Sequence, residues 1–258
     1  MLIDSHCHFD FAEFDGQRDI LWQSCLQAGI SALIMPGVEP SQWQQLADIS
    51  QQFPGIYYAA GLHPWWVESC ELSPEMLQSH LRKWLDQHTD VVAIGECGLD
   101  GKLDYPLAKQ IPFLDAQLAL AREYELPVIL HGYKAHQPLL ERIKHFGLAK
   151  GGVIHGFSGS LELALSYWRL GFRIGVGGTV TYPRANKTRK AVAQLPLEAI
   201  LLETDAPDMP LQGYQGQANT PLRVADVARC VAELRGESLE QVSEQTSENS
   251  RLLFGLLK

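Results

Sequence analysis

Eight short β-rich runs alternate with amphipathic stretches along the 258-residue chain, and this alternation narrows the possible folds more than any other feature. The runs are Leu2–Ser5, Ala32–Met35, Ile56–Ala60, Val91–Gly95, Pro127–Leu130, Gly152–Ile154, Phe172–Val176 and Ala199–Glu203. The helical pattern occupies Arg18–Ala28, Ser41–Gln52, Pro74–Gln87, Leu107–Tyr124, Gln137–Phe146, Leu161–Leu170, Lys187–Gln194 and Pro221–Leu234. Ser73-Pro74-Glu75 reads as a helix start, with Ser as the cap and Pro at the first helical position. Gly29 and Gly171 read as stops, because a left-handed C-cap favours glycine. From Glu237 onward one or two further helices close the chain. No linker or shift in composition separates these units, so residues 1–258 are expected to form one domain. A doubly wound open sheet would normally carry a glycine-rich phosphate fingerprint after an early strand, and none is present. The expected fold is α/β, a single (β/α)8 TIM-type barrel with an extra C-terminal helix.

Composition removes several alternatives. Hydrophobic residues are 46% of the chain and charged ones 20%, which excludes a disordered segment. Thirty acidic against 21 basic side chains leave a formal net charge of −9, so any contact with nucleic acid must be local. Five cysteines, at 7, 25, 70, 97 and 230, are widely spaced without a CxxC pair, as reduced thiols are. Met1–His6 lacks the basic and apolar regions of a secretory signal, and no apolar run nears the ~18 residues of a membrane span. The expectation is a cytoplasmic protein with no membrane association and no obligate protein partner.

In a β/α barrel the C-terminal ends of the strands build the site. His6 and His8 follow the first run, Gly61–Trp66 the third, Glu96 the fourth, His131 the fifth, His155 the sixth, and Glu203-Thr204-Asp205 the eighth. Six of the nine histidines lie in or near such ends, while His80, His88 and His145 lie on helices. His6 and His8 project from one face of a strand, with Cys7 turned to the opposite face as core. Taken singly, each of these residues has an ordinary structural role, such as a hydrogen-bonded core histidine or, for Asp205, a helix cap. Taken together, four imidazoles and two carboxylates at one barrel mouth are expensive to bury without partners. Such ligands suit divalent transition metals, and six exceed what one catalytic ion with an open position needs. Two ions sharing Glu96, which interrupts an apolar strand, account for the number and point to a two-metal hydrolase.

The same residues carry a resemblance. Ile3-Asp4-Ser5-His6-Cys7-His8, Gly61-Leu62-His63-Pro64 and Ile94-Gly95-Glu96-Cys97-Gly98-Leu99-Asp100 resemble motifs of the TatD-type metal-dependent deoxyribonucleases of the amidohydrolase superfamily. So do Leu126–His131, Gly152–Gly159 and Leu201–Pro207, in order over essentially the whole chain. The resemblance implies a β/α barrel, one ion held by His6, His8, Glu96 and Asp205, and a second held by Glu96, His131 and His155. The chain departs from the family pattern at three places. Gly101-Lys102-Leu103-Asp104 precedes Tyr105, Tyr133 and Lys134 stand where an Arg is common, and Gln217-Ala218-Asn219-Thr220-Pro221 replaces an Arg-Asn-x-Pro-like run.

The expected reaction is hydrolysis of a DNA phosphodiester by water activated on two divalent ions (Zn, Mn or Mg), with Asp205 as general base. Glu203 either orients a ligand or a water, or is a buried strand acid. His63 contacts the scissile group or protonates the leaving oxygen, or else it caps the turn before Pro64. Four basic residues fall within Arg184–Lys190; Arg184 and Lys134 are expected to grip phosphate, and Trp65 to stack on a base. The alternative is metal-dependent hydrolysis of an amide or ester in a small molecule, such as an aminoacyl or nucleotide derivative.

Overall fold

The computed structural model describes residues 1–256. Eight strands pair in parallel and in sequence order. They are β1 (Leu2–Asp4), β2 (Ile30–Met35), β3 (Ile56–Ala60), β4 (Val91–Asp100), β5 (Val128–Tyr133), β6 (Gly152–Ile154), β7 (Phe172–Val176) and β8 (Ile200–Leu202). Three backbone bonds join β8 and its loop to β1 and nearly close the barrel. Ser5 N–H donates to Leu202 O (2.9 Å), Asp205 N–H to His6 O (2.8 Å) and His8 N–H to Ala206 O (2.8 Å).

Helices follow the strands: α1 (Arg18–Gln27), α2 (Trp43–Gln52), α3 (Pro74–Gln87), α4 (Leu107–Glu123), α5 (His136–Phe146), α6 (Leu161–Trp168), α7 (Asn186–Gln194), α8 (Val224–Arg235) and α9 (Leu239–Phe254). α3 shows why they form. Ser73 Oγ accepts from Met76 N–H (3.2 Å), Pro74 opens the helix, and Leu77, Leu81 and Leu85 bury one face. The large core lies between the strands and this ring of helices. A second, smaller core fills the barrel itself with Ile3, Ala32, Ile34, Ala59, Ala93, Ile129, Val153 and Leu201. Phe254 and Leu256, at the end of α9, pack against this inner core and plug it from below. Asn249 ties α9 to the barrel by donating to the carbonyls of Leu197 and Ile200, 2.9 Å each.

Two paired strands run further than expected, β5 to Tyr133 instead of Leu130 and β4 further still. β4 does not stop at Gly95 but pairs with β5 as far as Asp100 opposite Tyr133. Between Ile94↔Val128 and Cys97↔Leu130 it carries one extra residue, a bulge that re-aims the side chain placed there. That side chain is Glu96. Gly95 has φ of 143°, and a Cβ on it would stand 2.6 Å from Ile129 O, so only glycine fits.

Candidate active site

Strand periodicity carries the inner face upward by twos. Beyond Ile129 comes His131, beyond Val153 comes His155, beyond Leu201 comes Glu203, and beyond Ala59 come Gly61 and His63. The lower positions are apolar and sealed, whereas the upper ones are polar and converge.

Glu96 is the hub. Its carboxylate is 2% exposed and presents one oxygen to each of two imidazole groups. Oε2 lies 3.3 Å from His6 Nε2 and 3.9 Å from His8 Nε2. Oε1 lies 3.2 Å from His63 Nε2, 3.3 Å from His131 Nδ1 and 2.6 Å from His155 Nε2. Asp205 stands on the first side, its Oδ1 3.4 Å from His6 Nε2 and 3.5 Å from His8 Nε2. The six sequence-expected ligands are therefore brought together. So is His63, which groups with Glu96 and His131 tightly enough to share an ion.

The donor set fits divalent cations. His6 Nδ1 and Nε2, His8 Nδ1, His155 Nδ1 and Glu203 Oε2 are buried yet hydrogen-bonded to nothing, an arrangement that a fold built only for stability avoids. Lone pairs that face one another across 3–4 Å suit ligands awaiting a cation. Charge is shared accordingly. Burial by itself would raise the Glu96 carboxyl, but the imidazoles of His155, His63 and His6 hold it well below the usual carboxylate range. Burial also opposes ionisation of Asp205, and His8, His6 and His155 overcome it. Burial pushes His6 down to about 4, with His155 adding to the effect.

Hydrogen bonds sort two of the three imidazoles on the Oε1 side. His63 Nδ1 accepts from the backbone N–H of Trp65 (3.1 Å), so a neutral His63 carries its proton on Nε2 and points it at Glu96. His63 thus caps its turn and donates into the site at once; the two alternatives open at the sequence level coexist. The opposite arrangement stands at His131, whose Nε2 faces the Asp100 carboxylate at 3.3 Å while Nδ1 faces Glu96 Oε1 and His155 Nε2, also at 3.3 Å each.

Asp205 adopts φ of 58°, an unusual backbone for a residue other than glycine. Its neighbours enforce this. Thr204 donates N–H (3.0 Å) and Oγ1–H (2.6 Å) to the buried Asp4, while Asn219 Nδ2 donates to Thr204 O (2.9 Å). Glu203 is wholly buried and accepts from Gly156 N–H (2.5 Å). Burial raises its carboxyl to about 8; His155 pulls it down and Asp205 and Asp4 push it up. β7 makes room for it, since a Cβ on Gly175 would stand 2.2 Å from Glu203 Oε2.

A cavity of about 650 Å³ opens over the cluster. Trp65 lines it and is 55% exposed. The expected phosphate-gripping residues are not in its lining. Arg184 stacks on Tyr182 (5.0 Å) and Lys134 leans over Tyr133 (5.6 Å). Lys102, from the loop after β4, is instead the one Lys or Arg lining the cavity among the described residues. The sixth strand-end histidine, His136, opens α5 and meets Tyr167 Oη (2.9 Å), away from the cluster. Two buried glutamines of α4 escaped sequence reasoning. Gln117 clamps both backbone groups of Leu62, and Gln110 clamps those of Asp100. Their spacing of seven residues puts both on one helix face, which was the available signal.

A parallel (β/α)8 barrel whose mouth gathers buried imidazoles around a shared carboxylate defines a metal-dependent hydrolase. The family model described as TatD related DNase matches residues 3–255, and the chain belongs to that family. Relatives agree over full length. It is 44% identical to the uncharacterized metal-dependent hydrolase YjjV of Escherichia coli (strain K12), covering 98% of each chain. The crystal structure of the Escherichia coli K12 TatD homolog YjjV superposes with a TM-score of 0.94 at 43% identity, over 99% of this chain and 98% of that one. The 3'-5' ssDNA/RNA exonuclease TatD of Pantoea ananatis is 32% identical over 99% of this chain and all of its own. Among the described residues no helix is long and apolar enough to cross a membrane.

Proposed function

We propose that the chain is a two-metal phosphodiesterase that removes nucleotides from the end of a single-stranded DNA or RNA. The observation that carries this reading is the division of Glu96 between two ligand groups, with His6, His8 and Asp205 on one side and His131 and His155 on the other. Bound there, divalent ions (Zn, Mn or Mg) would activate a water and offset charge on the phosphoryl oxygens. The chain's own residues do the rest. Asp205, kept ionised by its histidines, accepts the proton of the attacking water. Glu203, held through one oxygen by the Gly156 N–H, turns its other oxygen to a ligand or a water from within the barrel wall. His63 directs its Nε2–H into the site and serves the leaving oxygen. Trp65, exposed at the cavity rim, offers its face to a terminal base. Support for a nucleic-acid end comes from the relative named a 3'-5' ssDNA/RNA exonuclease and from a mouth of about 650 Å³, far too small for a duplex.

A second reading, hydrolysis of a small ester or amide such as an aminoacyl or nucleotide derivative, is favoured by the lining: one cation, Lys102, where a polyanion would be served by several. Degradation of a 5′-labelled single-stranded DNA by protein loaded with Mg²⁺, Mn²⁺ or Zn²⁺ separates the two. A product ladder shortened from the 3′ end and lost in Asp205→Asn supports the nuclease. No cleavage with any ion, alongside turnover of a small ester lost in the same variant, supports the second reading.

A further inference from the structure

Asp100 belongs to no ligand group, yet five hydrogen bonds meet on it or its backbone from four segments of the chain. Its Oδ2 accepts from the Trp65 indole N–H (2.8 Å) and from His131 Nε2 (3.3 Å), while Oδ1 accepts from Lys102 N–H (2.8 Å). Gln110 holds its backbone on both sides, at 2.8 and 2.9 Å. His131, Trp65 and Lys102 thus all donate to one carboxylate. A carboxylate so fixed accepts on every side and draws the His131 proton to Nε2, whereas the Glu96 carboxylate opposite Nδ1 is shared among several imidazoles.

The neighbouring ring is set the other way by the same tryptophan. Trp65 gives its backbone N–H to His63 Nδ1 and its indole N–H to Asp100. The two imidazoles, 4.5 Å apart, thereby take opposite roles.

We propose that Asp100 is a positioning residue that, anchored by the Trp65 indole, fixes His131 as the Nε2–H tautomer and so presents Nδ1 as a metal ligand, while the Trp65 backbone keeps His63 a hydrogen donor. The inference rests on the ligand role of His131 in the proposed function. Its consequence is a physical link between the exposed stacking face of Trp65 and the ion on the Oε1 side of Glu96. Outer carboxylates that orient ligating histidines act in this way at metal sites in general.

Asp100→Asn tests it, because an amide cannot replace the carboxylate. One of its two positions becomes NH₂, so either Lys102 N–H or the Trp65–His131 pair meets a donor. Zn²⁺ is titrated into the metal-free full chain against a chromophoric chelator, and the histidine tautomers of the zinc-loaded protein are read by long-range ¹H–¹⁵N NMR. The expected result in Asp100→Asn is a roughly ten- to hundredfold loss of affinity for one ion. The other ion stays unchanged, and the His131 Nε2–H resonance is lost. Trp65→Phe keeps the carboxylate and the backbone donor; it is expected to lower the same affinity severalfold and to leave His63 as it was. If Asp100→Asn binds both ions like the parent and retains the His131 Nε2–H, the inference falls while the metal reading stands. If no ion reaches His131 in the parent protein, the ligand assignment falls and takes the inference with it. Should Asp100→Asn not fold, unchanged zinc affinity in Trp65→Phe overturns the inference.

Discussion

Glu96 Oε1 stands 2.6 Å from His155 Nε2, the closest approach in the cluster, at the point where β4 bulges toward β5. The bulge delivers the carboxylate to the centre of the mouth, where its two oxygens serve different imidazoles. Glu96→Gln replaces one oxygen with an NH₂ that no ion accepts. The expected outcome is loss of bound divalent metal after dialysis, measured by elemental analysis, and a fall in hydrolysis of about a thousandfold or more. Full metal content in the variant would remove Glu96 from the ligand set.

The pH dependence of the metal-free protein has a defined sign through Glu203. Its carboxyl titrates at about 8 in the folded chain against an ordinary 4.5, so the folded state holds that proton more tightly than the unfolded one. Its contribution to stability is complete below 4.5 and is lost progressively as pH rises toward 8. Glu203→Gln lacks this proton, so denaturant unfolding with chelator present should show the variant gaining on the parent between pH 5 and pH 8. Parallel stability profiles would mean that Glu203 does not titrate there.

The seam between β8 and β1 depends on a buried pair. Thr204 Oγ1 donates to Asp4 Oδ2 at 2.6 Å, and Asp4 has no exposure with which to recruit water. Thr204→Val keeps the shape and leaves an acceptor unmet, at an expected cost of about 1–3 kcal/mol. In a chain of this size that lowers Tm by roughly 2–4 °C per kcal/mol, measured by calorimetry. An unchanged Tm would show that the Thr204 hydroxyl contributes nothing to the seam beyond its backbone bonds and the Thr204 N–H to Asp4 bond.

With Lys102 as the one cavity-lining cation among the described residues, binding of a short single strand should depend only weakly on salt. One phosphate contact corresponds to a slope of about −0.7 in log K against log salt concentration. Lys102→Met is expected to bring the slope close to zero in a fluorescence-anisotropy titration. A steep slope in the parent, retained in the variant, would move the phosphate contacts to the basic residues between Arg184 and Lys190.

Much of this was legible from local pattern. Ile56–Ala60, Gly152–Ile154 and Phe172–Val176 are the observed bounds of β3, β6 and β7, and Pro74–Gln87 those of α3, because burial period and capping chemistry act over a few residues. The apolar run Val91–Gly95 ends at Gly95, whereas pairing with β5 carries the strand through Glu96 to Asp100. The polar clamps were less visible. Gln110, Gln117 and Asn219 look like surface residues until α4 and the loop after β8 fold back over the strand ends. The phosphate-gripping assignments had the weakest basis. Charge along the chain marked Arg184 and Lys134, but side-chain direction turned both onto neighbouring tyrosines.

By itself the sequence determined the alternation of strands and helices, and hence the barrel. Through their place at the C-terminal ends of the strands it also determined that histidines and carboxylates would share a mouth. Tertiary structure alone decided which nitrogen of each imidazole faces the centre and which oxygen of Glu96 faces each group. It also decided that Asp100 and Trp65 stand behind His131. The reason is physical. Burial pattern is written in residue order, but proton placement follows from hydrogen bonds between residues far apart in the chain, as between His131 and Asp100 or Thr204 and Asp4.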